Sequence, residues 1–491
     1  MSKSSFSAER EQVAKSGLLR SEVYYAGAWR TAASGKVIEV TDPYTGDVIG
    51  RTPSLDAGEI SAAIDAAEAA FGPWAAQPAR ARGRILRRLF ELVEQRKDDL
   101  ARLITLENGK ALKEAQAEVG YGGSFIEFYA EEATRIYGET ISPPSSDRRL
   151  FAEREPIGVC AAITPWNFPL AMLTRKMAPA LAAGCTMIAK PASQTPLTAL
   201  ALAALAEEAG VPPGVFSVIT GKASVVGDVL TGSSVVRKIS FTGSTEVGAR
   251  LMAACAPTIK RLSLELGGNA PLLVFDDADL DTAVEMASVA KFRNGGQSCV
   301  AANRMYVHRG IHDAFVEAFA RRVAALKLGD GFDPATDIGP LIDQPSVDKV
   351  DEHLADLIEG GGEVLVGGAS QGPRLARPTL VQKARRDALF TREETFGPLA
   401  AVIAFDTIDE AIGMANDTPF GLAAYFCSTN PQTIARVGRR IESGMVGINT
   451  GLISNAAAPF GGLKLSGLGR EGSRHGLDEY LNIKYLCQAG L

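Results

Sequence analysis

Cys299 stands in the stretch Arg293-Asn-Gly-Gly-Gln-Ser-Cys-Val300, behind two glycines, Gln297 and Ser298. Glycines let a backbone approach a ligand closely, and a loop of this kind can present a backbone N–H beside the thiol. A thiol so placed suits nucleophilic chemistry. Taken alone, a single cysteine is more often a small buried hydrophobe. Three other stretches weigh against that reading: Thr164-Pro-Trp-Asn-Phe-Pro169, Phe241-Thr-Gly-Ser-Thr245 and Leu264-Glu-Leu-Gly-Gly268. Glu265 sits inside an apolar segment, where an unpaired carboxylate is costly unless it has a task. The plainer alternative pairs it with Lys260 or Arg261. Phe241–Gly248 follows a strand-like run and opens a helical one, and helix N-termini bind phosphate through free N–H groups. It lacks the full Gly-x-Gly-x-x-Gly spacing, so by itself it marks only a strand-to-helix turn.

The elements that must carry these residues read as alternating strands and helices. Gly158–Ile163, Thr186–Ala189, Val215–Ile219 and Val236–Phe241 are apolar strands. Leu170–Ala182, Thr195–Ala209, Ala223–Leu230 and a run from Ser244 are helical. Such alternation implies a parallel sheet covered on both faces, with ligands at the strand carboxyl ends. Thr164, Lys190 and Thr242 all fall at such ends. A second alternating region runs from Gly268 to about Gly467. In it a helix over Leu280–Phe292 precedes the Cys299 loop, and an apolar run, Met305–Val307, follows. Upstream, residues 1–54 read as a polar tail and short strands. Asp56 and Glu59 have the spacing of a capping box, for a helix that buries Ile60, Ile64 and Phe71. Two more helical stretches reach about Gly138. The Arg-rich run 80–88 reads as the solvated face of a helix whose other side is Ile85, Leu86, Leu89 and Val93. Ile141-Ser-Pro-Pro-Ser-Ser146 suits an exposed crossover. Tyr480–Cys487 alternates with period two, Leu481, Ile483, Tyr485 and Cys487 on one face, as an edge strand wanting a partner does.

Composition narrows the classes. The chain has 491 residues, enough for two or three domains. Its 51 Lys+Arg against 57 Asp+Glu give −6, and without a basic block nucleic acid is not the expected partner. Six scattered cysteines form no CxxC pair, and the four histidines are not spaced with them as zinc ligands are. Free thiols suit a reducing compartment. The N-terminus, with Glu9, Arg10 and Glu11, lacks the apolar core of a signal peptide. No run is long enough to cross a bilayer. The expected location is cytoplasmic.

In order and over nearly the whole chain, the stretches quoted above resemble the aldehyde dehydrogenase superfamily. The resemblance implies an α/β fold with a Rossmann-like cofactor domain over 1–142 and 158–266, an α/β catalytic domain over 267–470, and a β-strand oligomerisation arm over 143–157 and 471–491. It implies a homo-oligomer, dimer or tetramer. It also assigns roles. Oxidising an aldehyde by hydride loss needs a tetrahedral adduct first, which a thiolate supplies, and the adduct oxygen needs preorganised donors. By resemblance Cys299 is the nucleophile, the Asn167 side-chain amide and the Cys299 N–H hold the oxyanion, and Glu265 is the general base for thioester hydrolysis. The dinucleotide pyrophosphate is expected near Ser244 and Trp166, within a site that includes Thr164, Pro165, Gly243 and Leu266. Glu394-Thr-Phe-Gly-Pro398 resembles the segment that holds the nicotinamide ribose, Glu394 bonding hydroxyls and Phe396 packing beside the ring. Lys190 is expected at the adenosine ribose. Position 193 helps choose the cofactor, since a glutamate there would repel a 2′-phosphate. Here it is Ser193, compatible with NADP without excluding NAD.

Within that family the succinate-semialdehyde dehydrogenase branch is most similar, through Phe292–Cys299, Thr174-Arg-Lys176 and Gly451-Leu-Ile-Ser-Asn455. Carried over, Arg175, Arg293 and Ser454 grip a distal carboxylate, as two guanidinium forks near a thiol would. The implied reaction is succinate semialdehyde to succinate, as in 4-aminobutyrate degradation. Glutarate semialdehyde, one methylene longer, is the alternative, since pockets separate such neighbours by only about 1–3 kcal/mol. Arg175 and Lys176 are adjacent, so only one is expected to face the pocket. Some branch members carry a second cysteine two residues after the nucleophile; Ala301 stands here, so that disulfide switch is expected to be absent. A dead member of the fold would have lost Cys299, Glu265 or Asn167, and a CoA-acylating enzyme usually lacks the base.

Overall fold

The computed structural model describes residues 3–490. Two sheets organise it. The first has eight strands, in the order Ala28–Arg30, Val23–Tyr25, Phe216–Val218, Thr186–Lys190, Val159–Ile163, Val236–Thr242, Arg261–Glu265 and Gly467–Leu468. The five central strands are parallel, and the flanking pairs with Val23–Tyr25 and Gly467–Leu468 are antiparallel. Thr186–Lys190 is buried throughout and Val236–Thr242 nearly so, as strands covered on both faces must be. Their register aligns one rim. Ile163 pairs with Lys190 and with Phe241, and Thr242 pairs with Glu265.

The second sheet runs Glu363–Val366, Thr379–Gln382, Leu399–Phe405, Ala302–His308, Ala270–Val274, Ala423–Cys427 and Met445–Ile448. All its pairs are parallel except the first. The loops that hold Gly268, Cys299 and Glu394 feed the amino ends of three adjacent strands here. The carboxyl rim of one sheet therefore faces the amino rim of the other.

A third sheet pairs Leu481–Ala489 with Arg148–Pro156 over nine antiparallel positions, and Glu139–Ile141 with the far edge of Arg148–Pro156. The terminal strand is thus an edge, and Ile483 and Tyr485 are 65% and 58% exposed. Among the described residues, no helix is long and apolar enough to cross a membrane.

Local expectations held unevenly. Asp56 and Glu59 form the capping box of the helix Ala57–Ala75. On that helix Phe71 is only half-buried, and Trp74 fills the buried place. The polar N-terminal tail is a helix, Lys3–Lys15, which buries Val13. Three helices, not two, follow the capping-box helix: Ala79–Gln95, Lys97–Asn108 and Leu112–Glu132. Of the arginines in 80–88, Arg82 is buried, donating to the carbonyls of Ala182 at 3.1 Å, of Ala75 and of Gln77. A guanidinium can satisfy several carbonyls of neighbouring helix ends at once, which a helix-face pattern does not reveal.

Candidate active site

The Cys299 loop is held in a tight backbone. Asn294, Gly295 and Gly296 are successively left-handed, with φ of 55°, 61° and 75°. A side-chain Cβ on Gly296 would lie 2.3 Å from the Gly397 carbonyl, so the loop packs directly on the Glu394–Pro398 segment. Gly268 abuts the same loop, and a Cβ there would meet the Cys299 carbonyl at 2.5 Å. Gln297 completes the turn by accepting from Ile342 N–H at 3.0 Å. The Tyr425 hydroxyl donates to Val300 O at 2.8 Å.

A cavity of about 240 Å³ lies where the two rims meet. Cys299, Asn167, Pro165, Trp166, Gly243, Ser244, Leu266, Glu394 and Phe396 line it, with Thr242 and Gly267. Nine residues singled out in the sequence are thus gathered around one space. Thr164, Lys190 and Ser193 lie off the cavity. Thr164 N–H donates to Lys190 O at 3.1 Å, and Ser193 is half-buried just beyond. Ser244 caps the helix Thr245–Cys255, its hydroxyl accepting from Val247 N–H at 3.4 Å. The amides of Thr245 and Glu246 remain the unpaired donors of that first turn. Trp166 and Phe396 meet edge to face at 5.5 Å, with Phe396 itself left-handed at φ 53°.

The Asn167 side-chain nitrogen donates to Gln297 O at 3.0 Å, while its Oδ1 is buried without a partner. Burial pushes the Cys299 thiol up to about 12; the Arg175 cation pulls it down, and Glu394 and Glu265 add to the rise. Burial also raises the Glu394 carboxyl to about 8, against the pull of the Gly268 N–H. Glu265 is 1% exposed, and neither carboxylate oxygen has a hydrogen-bond partner. Burial, then the charge of Glu471, lifts it well above the usual carboxylate range. It does not pair with its sequence neighbours. Lys260 donates to the Ser233 and Val236 carbonyls, and Arg261 to Leu481 O.

Arg175 and Lys176 depart from expectation. Both are buried, and both reach Glu471, through Arg175 Nε and Lys176 Nζ, the latter at 2.5 Å. Long side chains converge where adjacent backbone positions diverge. Neither terminal nitrogen of Arg175 has a hydrogen-bond partner, and its guanidinium lies 4.2 Å from the Phe460 ring centroid. Arg293 is half-buried, its backbone N–H donating to Val289 O and its guanidinium over the Phe168 ring at 5.3 Å without a hydrogen bond or ion pair to any described residue. Ser454 is half-buried beside Ile453, which packs in the core cluster that Cys299 borders. None of these three lines the cavity.

A sequence model of the Aldehyde dehydrogenase family matches residues 29–486. The chain belongs to the aldehyde dehydrogenase family. It is 54% identical over 482 residues to a glutarate-semialdehyde dehydrogenase of Pseudomonas aeruginosa, covering 98% of this chain and 100% of that one. It is 55% identical over 474 residues to an NADP(+) succinate-semialdehyde dehydrogenase of Escherichia coli, covering 96% and 98%. A crystal structure described as an E. coli NADP-dependent enzyme superposes with a TM-score of 0.96 at 54% identity, covering 96% of this chain and 99% of that one. The chain is an NAD(P)-dependent aldehyde dehydrogenase acting on a small aldehyde.

The cavity fits what such an enzyme must hold. Free helix amides at Ser244 suit a pyrophosphate, and a carboxyl at Glu394 with no cation bonded to it suits sugar hydroxyls. The sequence assigned no role to Thr242, Gly267, Lys176 or Glu471. The first two lie within or beside stretches already singled out. Nothing local marks Glu471, whose side-chain partners Lys176 and Ser240 are 295 and 231 residues away.

Proposed function

We propose that this aldehyde dehydrogenase oxidises succinate semialdehyde to succinate, using NADP at least as well as NAD. The observation that carries the substrate class is the pair of unsatisfied guanidinium groups. Arg175 has two buried terminal nitrogens without acceptors, and Arg293 has no ion pair. Glu471 already neutralises Arg175 through Nε, yet the two terminal nitrogens of Arg175 and the whole Arg293 guanidinium keep donors to spare for a second anion. A carboxylate at the far end of a short aldehyde is such an anion, with the Ser454 hydroxyl as a further donor.

In this reading the Cys299 thiolate adds to the aldehyde carbon. The Asn167 amide and the Cys299 N–H hold the oxygen that becomes negative. When bound, the dinucleotide supplies a hydride acceptor. Trp166, Ser244, Gly243, Leu266, Thr164 and Pro165 hold its pyrophosphate region, Glu394 and Phe396 the nicotinamide end, and Lys190 and Ser193 the adenosine ribose. Loss of two electrons leaves a thioester on Cys299. Glu265 takes a proton from water, the oxygen attacks the acyl carbon, and the C–S bond breaks to release acid and thiolate. The arm formed by 143–157 and 471–491 joins subunits of a homo-oligomer.

Glutarate semialdehyde is the second reading, favoured by the 54% identity to a relative of that name. A steady-state panel of semialdehydes and neutral aldehydes with each dinucleotide decides between them. Arg293→Ala should lower kcat/KM for succinate semialdehyde by about 1.5–3 kcal/mol of transition-state stabilisation, while butyraldehyde changes little. Equal losses for both would remove Arg293 from the carboxylate.

A further inference from the structure

The segment that brings Asn167 to Cys299 is fastened from behind by a buried ion pair on neither sheet. Helix Lys97–Asn108 ends at Gly109, left-handed at φ 86°, and Lys110 follows before helix Leu112–Glu132 begins. Lys110 Nζ donates to Asn167 O at 2.7 Å and to Glu118 Oε2 at 2.6 Å, with both side chains almost wholly buried. The other oxygen of Glu118 accepts from Leu170 N–H at 2.9 Å and from Ala171 N–H at 3.4 Å. One Lys–Glu pair therefore grips both ends of Asn167–Leu170, carbonyl at the front and amide at the back. Its neighbours reinforce the hold. Asn108 Nδ2 donates to Trp166 O at 3.0 Å, and Asn294 Nδ2 donates to Asn167 O at 3.0 Å. Two cations approach the Phe168 ring, Lys110 Nζ at 4.2 Å and the Arg293 guanidinium at 5.3 Å from its centroid.

We propose that Lys110 and Glu118 are positioning residues for the Asn167 oxyanion donor, holding the Asn167–Leu170 backbone so that the side-chain amide stays aimed beside Cys299. This rests on the reading of Asn167 as that donor. A turn held only by its own backbone would let the amide drift, and displacement by about 1 Å at a reacting centre costs on the order of a hundredfold. A direct partner of Asn167 acts through Asn167, so its effect should vanish when the amide is gone.

The test compares Lys110→Met, Lys110→Met/Glu118→Gln and Asn167→Ala, and adds Asn167→Ala to the other two. The double variant removes both charges and leaves no stranded buried carboxylate. Two rates are read in the intact enzyme. One is single-turnover appearance of reduced dinucleotide, with the best aldehyde of the substrate panel. The other is alkylation of Cys299 by iodoacetamide, a reaction that develops no oxyanion. The double variant should lose at least about tenfold in the first rate and stay within about twofold in the second. In the Asn167→Ala background it should cost less than about a further twofold. Parallel losses in both rates, an unchanged first rate, losses that multiply in the Asn167→Ala background, or a double variant that does not fold would each overturn the proposal. Wild-type speed in Asn167→Ala alone would instead sink the oxyanion reading itself.

Discussion

Glu265 shows what burial does to a candidate base. Its carboxyl stands well above the usual range because burial disfavours the charged form, and the Glu471 charge adds to that. The group therefore titrates far above its unfolded value, and its ionised form, the one able to take a proton from water, grows as pH rises. Thioester hydrolysis should climb with pH through a value above the ordinary carboxylate range. Glu265→Gln should keep a burst of reduced dinucleotide but lose steady turnover; full turnover in that variant would dismiss it as the base. Stability should move the other way. A carboxyl with a raised folded pKa binds more protons folded than unfolded, so wild-type stability falls as pH rises from the unfolded value through the folded one. The amide carries no such loss. The melting temperature of Glu265→Gln should therefore gain on wild type as pH is raised, measured by calorimetry across that window.

At the level of elements, the glycines at the meeting of the rims are held by contact. Gly268 lies where a Cβ would meet the Cys299 carbonyl at 2.5 Å. Gly268→Ala should push the Cys299 loop off its seat and cut kcat by about tenfold or more, with a smaller effect on dinucleotide affinity, read as the kcat and KM split. Unchanged kcat would show that the loop yields. Much of this layer was legible in advance. The helix Leu280–Phe292 has the bounds that its apolar pattern predicts, and the strands before Thr164, Lys190 and Thr242 end within a residue or two of theirs. These are segments whose period and punctuation agree. What sequence could not carry was side-chain destination. Arg82 in a charged run and Lys110 with Glu118 look like surface charges until the fold supplies buried acceptors, and Arg175, expected at a substrate carboxylate, reaches Glu471. Their partners lie on other elements, and no local pattern encodes that meeting.

For the molecule as a whole, the edge strand Leu481–Ala489 presents Ile483 and Tyr485 to solvent beside an exposed crossover at 141–149. An edge with apolar side chains is a pairing surface. Replacing both Ile483 and Tyr485 by lysine should shift the enzyme to smaller assemblies by light scattering; an unchanged mass would leave the arm out of assembly.

The opposed rims have a consequence for protein engineering. Ser193 follows the carboxyl end of a first-sheet strand, whereas Arg293 belongs to the loop that feeds the second sheet. Residues with no shared partner have effects that add. Ser193→Glu, which brings a negative charge towards a 2′-phosphate, should turn preference towards NAD. Combined with Arg293→Ala, it should leave each variant's own change in selectivity intact, to within about twofold. Dinucleotide choice and aldehyde choice would then be two independent dials on one scaffold, and a designer could turn either without resetting the other.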